Sequence, residues 1–375
     1  MRETLCLIYT GLLLLREPVT VANIVSWVND GELPYYRASR EVPLGMRERL
    51  PATYQDLLEP QQLGKPEKLH QSVGETLSIF STEYRMALPP VNHPLMLYRW
   101  VHELALPIEI FAATSRLARV LGLDFAFNLN IKSGTKDAVL RYPEVRLMAL
   151  IVVTTKLLFP FDSVKRYPAS ANDMSALSLN WSIWVDLQSQ SQGEMRKPEH
   201  LSYQDAMTFS QTDALHAADN QLDQYMDWFE QNVANEDIRE HGRAAQDAEF
   251  RRTLFRLFPA GRDPGRPGAQ SQSESSPVHA GADSTRQLQS SLKPKRIVEP
   301  AAGATDVTRI GSCYQRFRTA DDVEGRAKVF YEQAARLAGL SLTAMVRAVV
   351  LIERKVQKHE EKLRKGGDQS DSHEA

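Results

Sequence analysis

Residues able to do catalytic chemistry occur in the sequence, but none of them forms a catalytic motif. His102-Glu103 begins like a zinc-protease motif, which needs a second histidine three residues after the glutamate; that position is Leu106. Ser133-Gly134-Thr135-Lys136 lacks the earlier glycine and the Lys-Ser/Thr order of a phosphate-binding loop. No G-x-S-x-G, C-x-x-C or G-x-G-x-x-G pattern occurs. The sequence therefore predicts a protein that is not an enzyme and needs no cofactor.

Basic residues are the side chains that could recognise a ligand, and the ligand they fit is a nucleic-acid backbone. Lysine and arginine contact phosphates, and backbone N–H groups at a helix start add to the attraction. Three of the candidates lie in the stretch that leads into the helix beginning at Pro143, three near the far end of that helix, and two upstream. In chain order the candidate DNA contacts are Arg37, Arg40, Lys132, Lys136, Arg141, Lys156, Lys165 and Arg166. The alternative is an ordinary solvated surface, because basic clusters of this size are not specific.

Charge is distributed unevenly along the chain, although 45 Lys+Arg and 47 Asp+Glu leave the total near neutral. Residues 93–170 carry ten basic and six acidic side chains, whereas residues 171–240 carry three basic and thirteen acidic ones. Fields of opposite sign can orient different partners on different faces. We expect the acidic part to bind a basic protein partner through four aspartates of one predicted helix, namely Asp213, Asp219, Asp223 and Asp227.

The two cysteines and the apolar N-terminal run bear on the cellular compartment. Cys6 and Cys313 cannot build a disulfide framework or a four-ligand zinc site, so the chain is interpreted as intracellular and reduced. The run 4–15 resembles a signal peptide, but Glu3 offsets Arg2 and no cleavage site follows. It is also too short to cross a bilayer. The prediction is a first helix buried on all sides, with no membrane partner.

The elements that must position these residues are helices, and the expected fold class is all-α. Apolar residues follow helical spacing nearly throughout, and the alternation typical of strands is almost absent. Leu147, Leu150 and Ile151 predict a buried helix after Pro143. The predicted helices cover residues 4–15, 19–28, 67–84, 94–104, 107–121, 143–159, 174–187 and 210–233, and three of them begin with proline, which is preset for a first helical turn.

The last third of the chain changes composition twice. Residues 261–310 are rich in Gly, Pro, Ser, Gln and Ala and contain no aromatic residue, which predicts a disordered linker. Two helices follow, 323–337 and 342–364, separated by Gly339. The second has an apolar stripe at helical spacing and Ser341 as a predicted N-cap. Since that stripe has no partner beyond a short helix, we expect it to dock onto another protein subunit.

An ordered set of motifs resembles one known family. The upstream pieces are Val42-Pro43 and Arg47–Pro51; the central series is Asn92–Tyr98, Ala105–Pro107, Leu121–Phe125, Tyr142–Met148, Ala149–Lys156 and Leu157–Asp162. Residues 336–340 and 349–354 add a weaker C-terminal likeness. On these motifs the chain resembles the TFIIB-related subunit of the RNA polymerase I core factor, the fungal Rrn-seven family, which is similar to the metazoan TBP-associated factor one-B. The resemblance covers residues 1–235 and 323–356.

The resemblance implies two cyclin-like repeats comparable to those of TFIIB: residues 1–92 (an incomplete first repeat) and 93–235. A helical extension and linker over 236–322 and a C-terminal helix pair over 323–365 would complete the chain. The implied function is transcription initiation in the nucleus and nucleolus, through the ribosomal DNA core promoter, the other core-factor subunits, TBP and RNA polymerase I. Members of the family carry a zinc ribbon before the first repeat; it is not expected in this chain. A helical protein–protein scaffold without DNA contact is the alternative.

Overall fold

Helices make up most of the computed structural model, as the all-α prediction requires. Their bounds are α1 Arg2–Leu14, α2 Val21–Asn29, α3 Leu44–Arg47, α4 Ala52–Leu58, α5 Pro66–Thr82, α6 His93–Glu103, α7 Glu109–Val120, α8 Pro143–Leu158, α9 Trp181–Met195, α10 Asp219–Asn232, α11 Gly325–Leu337 and α12 Leu342–Asp371. Short 3-10 helices cover Ala38–Glu41 and Ala138–Arg141. Prolines stand in the first turn of α5, α6 and α8, whereas α7 begins two residues after Pro107.

The structure describes most of the chain. The described residues are 2–36, 38–60, 63, 65–128, 138–170, 172–173, 176–195, 205–206, 209–210, 214, 217–232, 285–298, 308–312 and 314–371. Within them no single helix is long and apolar enough to cross a membrane. Helices α11 and α12 meet that criterion only as a pair, and the pair is bent by 98°.

Helix α8 is the centre of the core. Every residue from Pro143 to Lys156 is buried, because apolar side chains occupy all sides of the helix and neighbours cover each side. Helix α7, the 3-10 helix Ala138–Arg141, α11 and α12 all pack against it. The predicted burial of Leu150 and its neighbours on this helix is confirmed.

Helix α1 lies at the edge of the core, so the prediction that it is buried on all sides was wrong. The helix packs on α5, and Leu5, Cys6 and Tyr9 on its inner face are buried. On the opposite face Leu7 is 52% exposed, and Leu15 just beyond the helix is 73% exposed. An all-apolar sequence does not by itself determine whether neighbours surround a helix.

Part of the predicted linker is folded, which corrects the prediction of disorder over 261–310. Residues 285–291 are helical, and Leu288 is fully buried. The two-residue strand β2, Lys293–Pro294, pairs antiparallel with β1, Leu177–Ser178. Residues 261–284 and 299–307 lie outside the described residues. The average composition of residues 261–310 predicts disorder, but the burial of a single apolar side chain, Leu288, accompanies folding of residues 285–298.

The chain divides into two compact units. The first holds residues 1–28, 33–191 and 277–375, and the second holds residues 29–32 and 192–276. In the second unit α10 begins later than the predicted helix at 210. The ring of Tyr225 on α10 stacks on Phe209 at 4.6 Å between centroids. Asp219, Asp223 and Asp227 are exposed at four-residue spacing.

Candidate nucleic-acid interface

Lys156, a predicted phosphate contact, is buried in the core. Only 1% of the residue is exposed, and its Nζ atom lies 2.6 Å from Oε1 of Glu353 on α12. The ring centroids of Phe317 and Tyr314 lie 4.9 and 5.5 Å from the same atom. Burial lowers the pKa of Lys156 below its usual value, and the charge of Glu353 opposes that shift. Lys156 therefore joins α8 to α12 and is removed from the candidate DNA contacts.

Arg141 and Arg166 are also turned into the protein. Arg141 is 8% exposed and donates a hydrogen bond to the carbonyl of Gly74 at 3.3 Å. Arg166 is 5% exposed and donates to both carboxylate oxygens of Asp162, at 2.6 and 2.8 Å, and to the carbonyl of Ser312 at 2.9 Å. A guanidinium held by internal acceptors cannot also reach a phosphate, so the structure corrects both predictions.

Of the other predicted contacts, Lys165 is exposed, and the side chains of the rest are not among those that the structure describes. Lys165 is exposed in the loop after α8. Arg40 belongs to the 3-10 helix Ala38–Glu41, but the structure does not describe its side chain. Three further candidates lie outside the described residues: Arg37, Lys132 and Lys136. Phosphate contact by these residues stays a prediction. The structure therefore does not bring the eight candidates together as one surface.

Five exposed cations that sequence reasoning missed lie along the solvent side of α12. We call them the basic face of α12: Arg347, Arg354, Lys358, Lys362 and Lys365. Steps of seven, four, four and three residues keep them on one side of a helix of 3.6 residues per turn. Their spacing is visible in the sequence, but the apolar stripe on the other side of the same helix is the stronger pattern there.

The apolar stripe of α12 is buried within this chain, so the prediction that it docks onto another subunit was wrong. Met345, Val349 and Ile352 are at most 1% exposed, and α12 packs against α8, α11 and the 3-10 helix Ala138–Arg141. The Lys156–Glu353 ion pair lies in the contact with α8. The predicted N-cap is confirmed, since Oγ of Ser341 accepts a hydrogen bond from the backbone of Ala344.

The turn before α12 makes three contacts with helices α2 and α5. Gly339 has φ +62, a left-handed conformation that glycine adopts at little cost, and it lies against Ala22 of α2. Nε2 of the buried His70 lies 3.0 Å from the carbonyl oxygen of Ala338. The backbone N–H of Ser341 donates to the carboxylate of Glu67. These contacts give the basic face of α12 a fixed orientation on the first unit.

A zinc site does not fit the residues that the structure describes. Cys6 is fully buried on the inner face of α1. Desolvation raises the pKa of its thiol and so disfavours the thiolate that zinc requires. In the described part of the chain no three or more His, Cys, Asp or Glu side chains are grouped as metal ligands would be. No zinc ligand is assigned.

Comparison with known proteins supports the helical architecture. The chain is similar to the crystal structure of the S. cerevisiae core factor, with a TM-score of 0.50 and 13% identity. The match covers 96% of this chain and 82% of that one. At this identity the likeness shows the fold alone.

A curated relative is similar in sequence. The RNA polymerase I-specific transcription initiation factor rrn7 of Schizosaccharomyces pombe is 28% identical over 188 residues. The match covers 48% of this chain and 35% of the relative, so the chain spans about a third of that protein's length.

Two sequence-family models match successive parts of the chain. Residues 1–44 match the one described as Rrn7/TAF1B, N-terminal cyclin domain, and residues 63–233 match the one described as Rrn7/TAF1B, C-terminal cyclin domain. The two matches follow the order of the predicted repeats, while the domain bounds predicted from the sequence stay a prediction. Together they cover more than half of the chain, and they confirm the cyclin fold inferred from the motifs. The chain belongs to the Rrn7/TAF1B family.

Proposed function

We propose that the chain is a subunit of the RNA polymerase I core factor that binds the ribosomal DNA core promoter and helps assemble the preinitiation complex. Membership of the Rrn7/TAF1B family supports this role, as does the similarity to the fission-yeast transcription initiation factor. In this role we expect the chain in the nucleus and nucleolus, together with other core-factor subunits, TBP and RNA polymerase I.

The proposal of DNA binding rests on the basic face of α12. From Arg347 to Lys365 it extends about 27 Å at 1.5 Å per residue, which is about the length of eight base pairs. No carboxylate among the described residues pairs with these five cations. The exposed carboxylate of Glu361 on the same side accepts a hydrogen bond from Gln357 instead, so the five charges are available to phosphates. Such contacts position a protein on DNA and do not read its sequence.

The experiment is a comparison of DNA affinity over a range of salt concentrations. In one variant Arg347, Arg354, Lys358 and Lys365 are changed to glutamine. Each phosphate contact contributes about 0.9 to the slope of log affinity against log salt, so the slope should fall by up to about 3.6. The matched control changes four exposed cations elsewhere, Lys65, Lys68, Arg116 and Arg119, and should leave the slope as it is.

A scaffold that binds only proteins is the second candidate function. The burial of Arg141, Lys156 and Arg166 favours it, because three of the eight predicted DNA contacts serve the fold instead. The same titration separates the two functions. An unchanged slope in the α12 variant, with intact assembly of the subunits, would support the scaffold and reject the basic face of α12 as a DNA surface.

Protein partners are proposed to use the acidic side of α10. Asp219, Asp223 and Asp227 are exposed along that helix and would repel a phosphate backbone. Changing the three aspartates to asparagine should weaken co-purification of core-factor subunits most at low ionic strength, because salt already screens the attraction at high ionic strength. A loss independent of salt would point to a contact that is not electrostatic.

A further inference from the structure

A pocket in the first unit carries an excess of positive charge over an apolar wall. Its volume is about 480 Å³, and it lies between the loop after α8, strand β1 and the segment after β2. Phe159, Val164, Leu179 and Trp181 supply the apolar wall. The cations that line it are Lys165, Lys295, Arg296 and Arg166. We call this the cationic pocket.

The lining of the cationic pocket contains one carboxylate, Asp162, which is already paired with a cation of the pocket. Asp162 accepts two hydrogen bonds from Arg166, at 2.6 and 2.8 Å. Three cations remain without a carboxylate partner among the described residues: Lys165, Lys295 and Arg296. An adjoining recess of about 260 Å³ adds Lys293 and Arg326. The local charge is therefore strongly positive in a partly enclosed space.

Lys295 shows that the geometry suits an anion. Its ammonium lies 5.8 Å from the ring centroid of Phe159 and donates a long hydrogen bond, 3.4 Å, to the carbonyl of Leu158. Burial, and then the charge of Arg166, lower the pKa of Lys295 below its usual value. A half-buried ammonium facing further cations is unfavourable alone, and a bound anion would relieve the repulsion.

We propose that the cationic pocket binds an acidic segment of a partner protein, in which carboxylates flank an apolar side chain. Carboxylates would pair with Lys165, Lys295 and Arg296 at the rim. The apolar side chain would cover Val164, which is 51% exposed, and the wall behind it. A DNA backbone fits less well, since it has no apolar group for the wall and a duplex is too wide to enter a pocket of this volume.

The pocket and the basic face of α12 share no residue, so this proposal does not depend on DNA binding through α12; of the phosphate contacts that stay predicted, Lys165 alone also belongs to the pocket. The test uses the full chain and a fluorescein-labelled synthetic peptide, Glu-Asp-Leu-Phe-Glu-Asp, followed by fluorescence anisotropy. Two control peptides carry Ser-Ser in place of Leu-Phe, or Gln and Asn in place of the acids. A duplex DNA of arbitrary sequence is the competitor.

Removing one rim cation should weaken binding of the acidic peptide at least about fivefold, through Arg296→Gln or Lys295→Met, because each removes a charge-assisted contact. Val164→Ser should weaken the Leu-Phe peptide about threefold and leave the Ser-Ser peptide unchanged. Arg119→Gln, an exposed cation outside the pocket, is the matched control and should have no effect. Both control peptides should bind more weakly than the acidic Leu-Phe peptide.

Three results would overturn the proposal. The first is peptide affinity unchanged in both Arg296→Gln and Lys295→Met; Arg296 is exposed at the rim, so at least that variant should fold. The second is equal affinity for the Ser-Ser peptide, which would leave the apolar wall without a role. The third is DNA binding that falls in these variants while peptide binding does not, which would assign the pocket to nucleic acid.

Discussion

Removing one partner of the Lys156–Glu353 ion pair should destabilise the protein far more than replacing both. The two side chains are 2% and 4% exposed, so either one left alone would be an uncompensated charge in the core. Lys156→Met or Glu353→Leu should each lower the free energy of unfolding by about 3–5 kcal/mol, the usual cost of breaking a buried pair.

The double variant should lie within about 1 kcal/mol of the wild type. Methionine and leucine leave no charge to desolvate, and the surrounding rings of Phe317 and Tyr314 offer them apolar contact. The two single losses should therefore not add, and the coupling free energy should be about 5 kcal/mol or more. Lys358→Met on the exposed side of the same helix is the control and should change stability by less than about 0.5 kcal/mol.

Urea unfolding followed by circular dichroism measures these differences, and hydrogen–deuterium exchange locates them. In either single variant the amides of α12 should exchange faster, because the pair joins that helix to α8. The double variant should regain wild-type protection. Single losses below about 1 kcal/mol, or losses that add in the double variant, would refute the conclusion that this buried pair holds the two helices together.

Three further predictions concern the core, its pH dependence and the turn before α12. Leu150→Ala should cost about 2–5 kcal/mol, since the side chain is fully buried; an unchanged melting temperature would contradict its place in the core. Desolvation raises the pKa of Glu144 above its usual 4.5, so the folded state holds this proton more tightly than the unfolded chain, and stability should fall as pH rises from about 4.5 through the native pKa. Glu144→Gln should remove that fall in urea titrations at stepped pH, and an unaltered pH profile would exclude this carboxyl as its source. Gly339→Ala should cost about 1–2 kcal/mol in thermal unfolding because φ is +62, whereas Gly45→Ala, which meets open space, should cost nothing.

The candidate site was only partly predictable, because charge in a sequence does not say whether a side chain meets solvent. Lys156 and Lys165 are both single lysines near the end of α8, yet the first is buried against Glu353 and the second is exposed. Glu353 lies 197 positions away along the chain. No local pattern could pair the two. The spacing of the five cations on α12 can be read from the sequence. That they face solvent depends on the packing of the opposite side of the helix against α8.

The sequence by itself determined the helical class, most helix bounds and the family. These features depend on local properties: proline in a first turn, apolar residues at helical spacing, and the order of short motifs. Only the tertiary structure decided which helix is central, that Leu288 anchors part of the supposed linker, and that the tail stripe is covered by this chain's own α8. Each of those outcomes depends on neighbours brought together from distant positions, and burial is a property of that assembly and not of any segment within it.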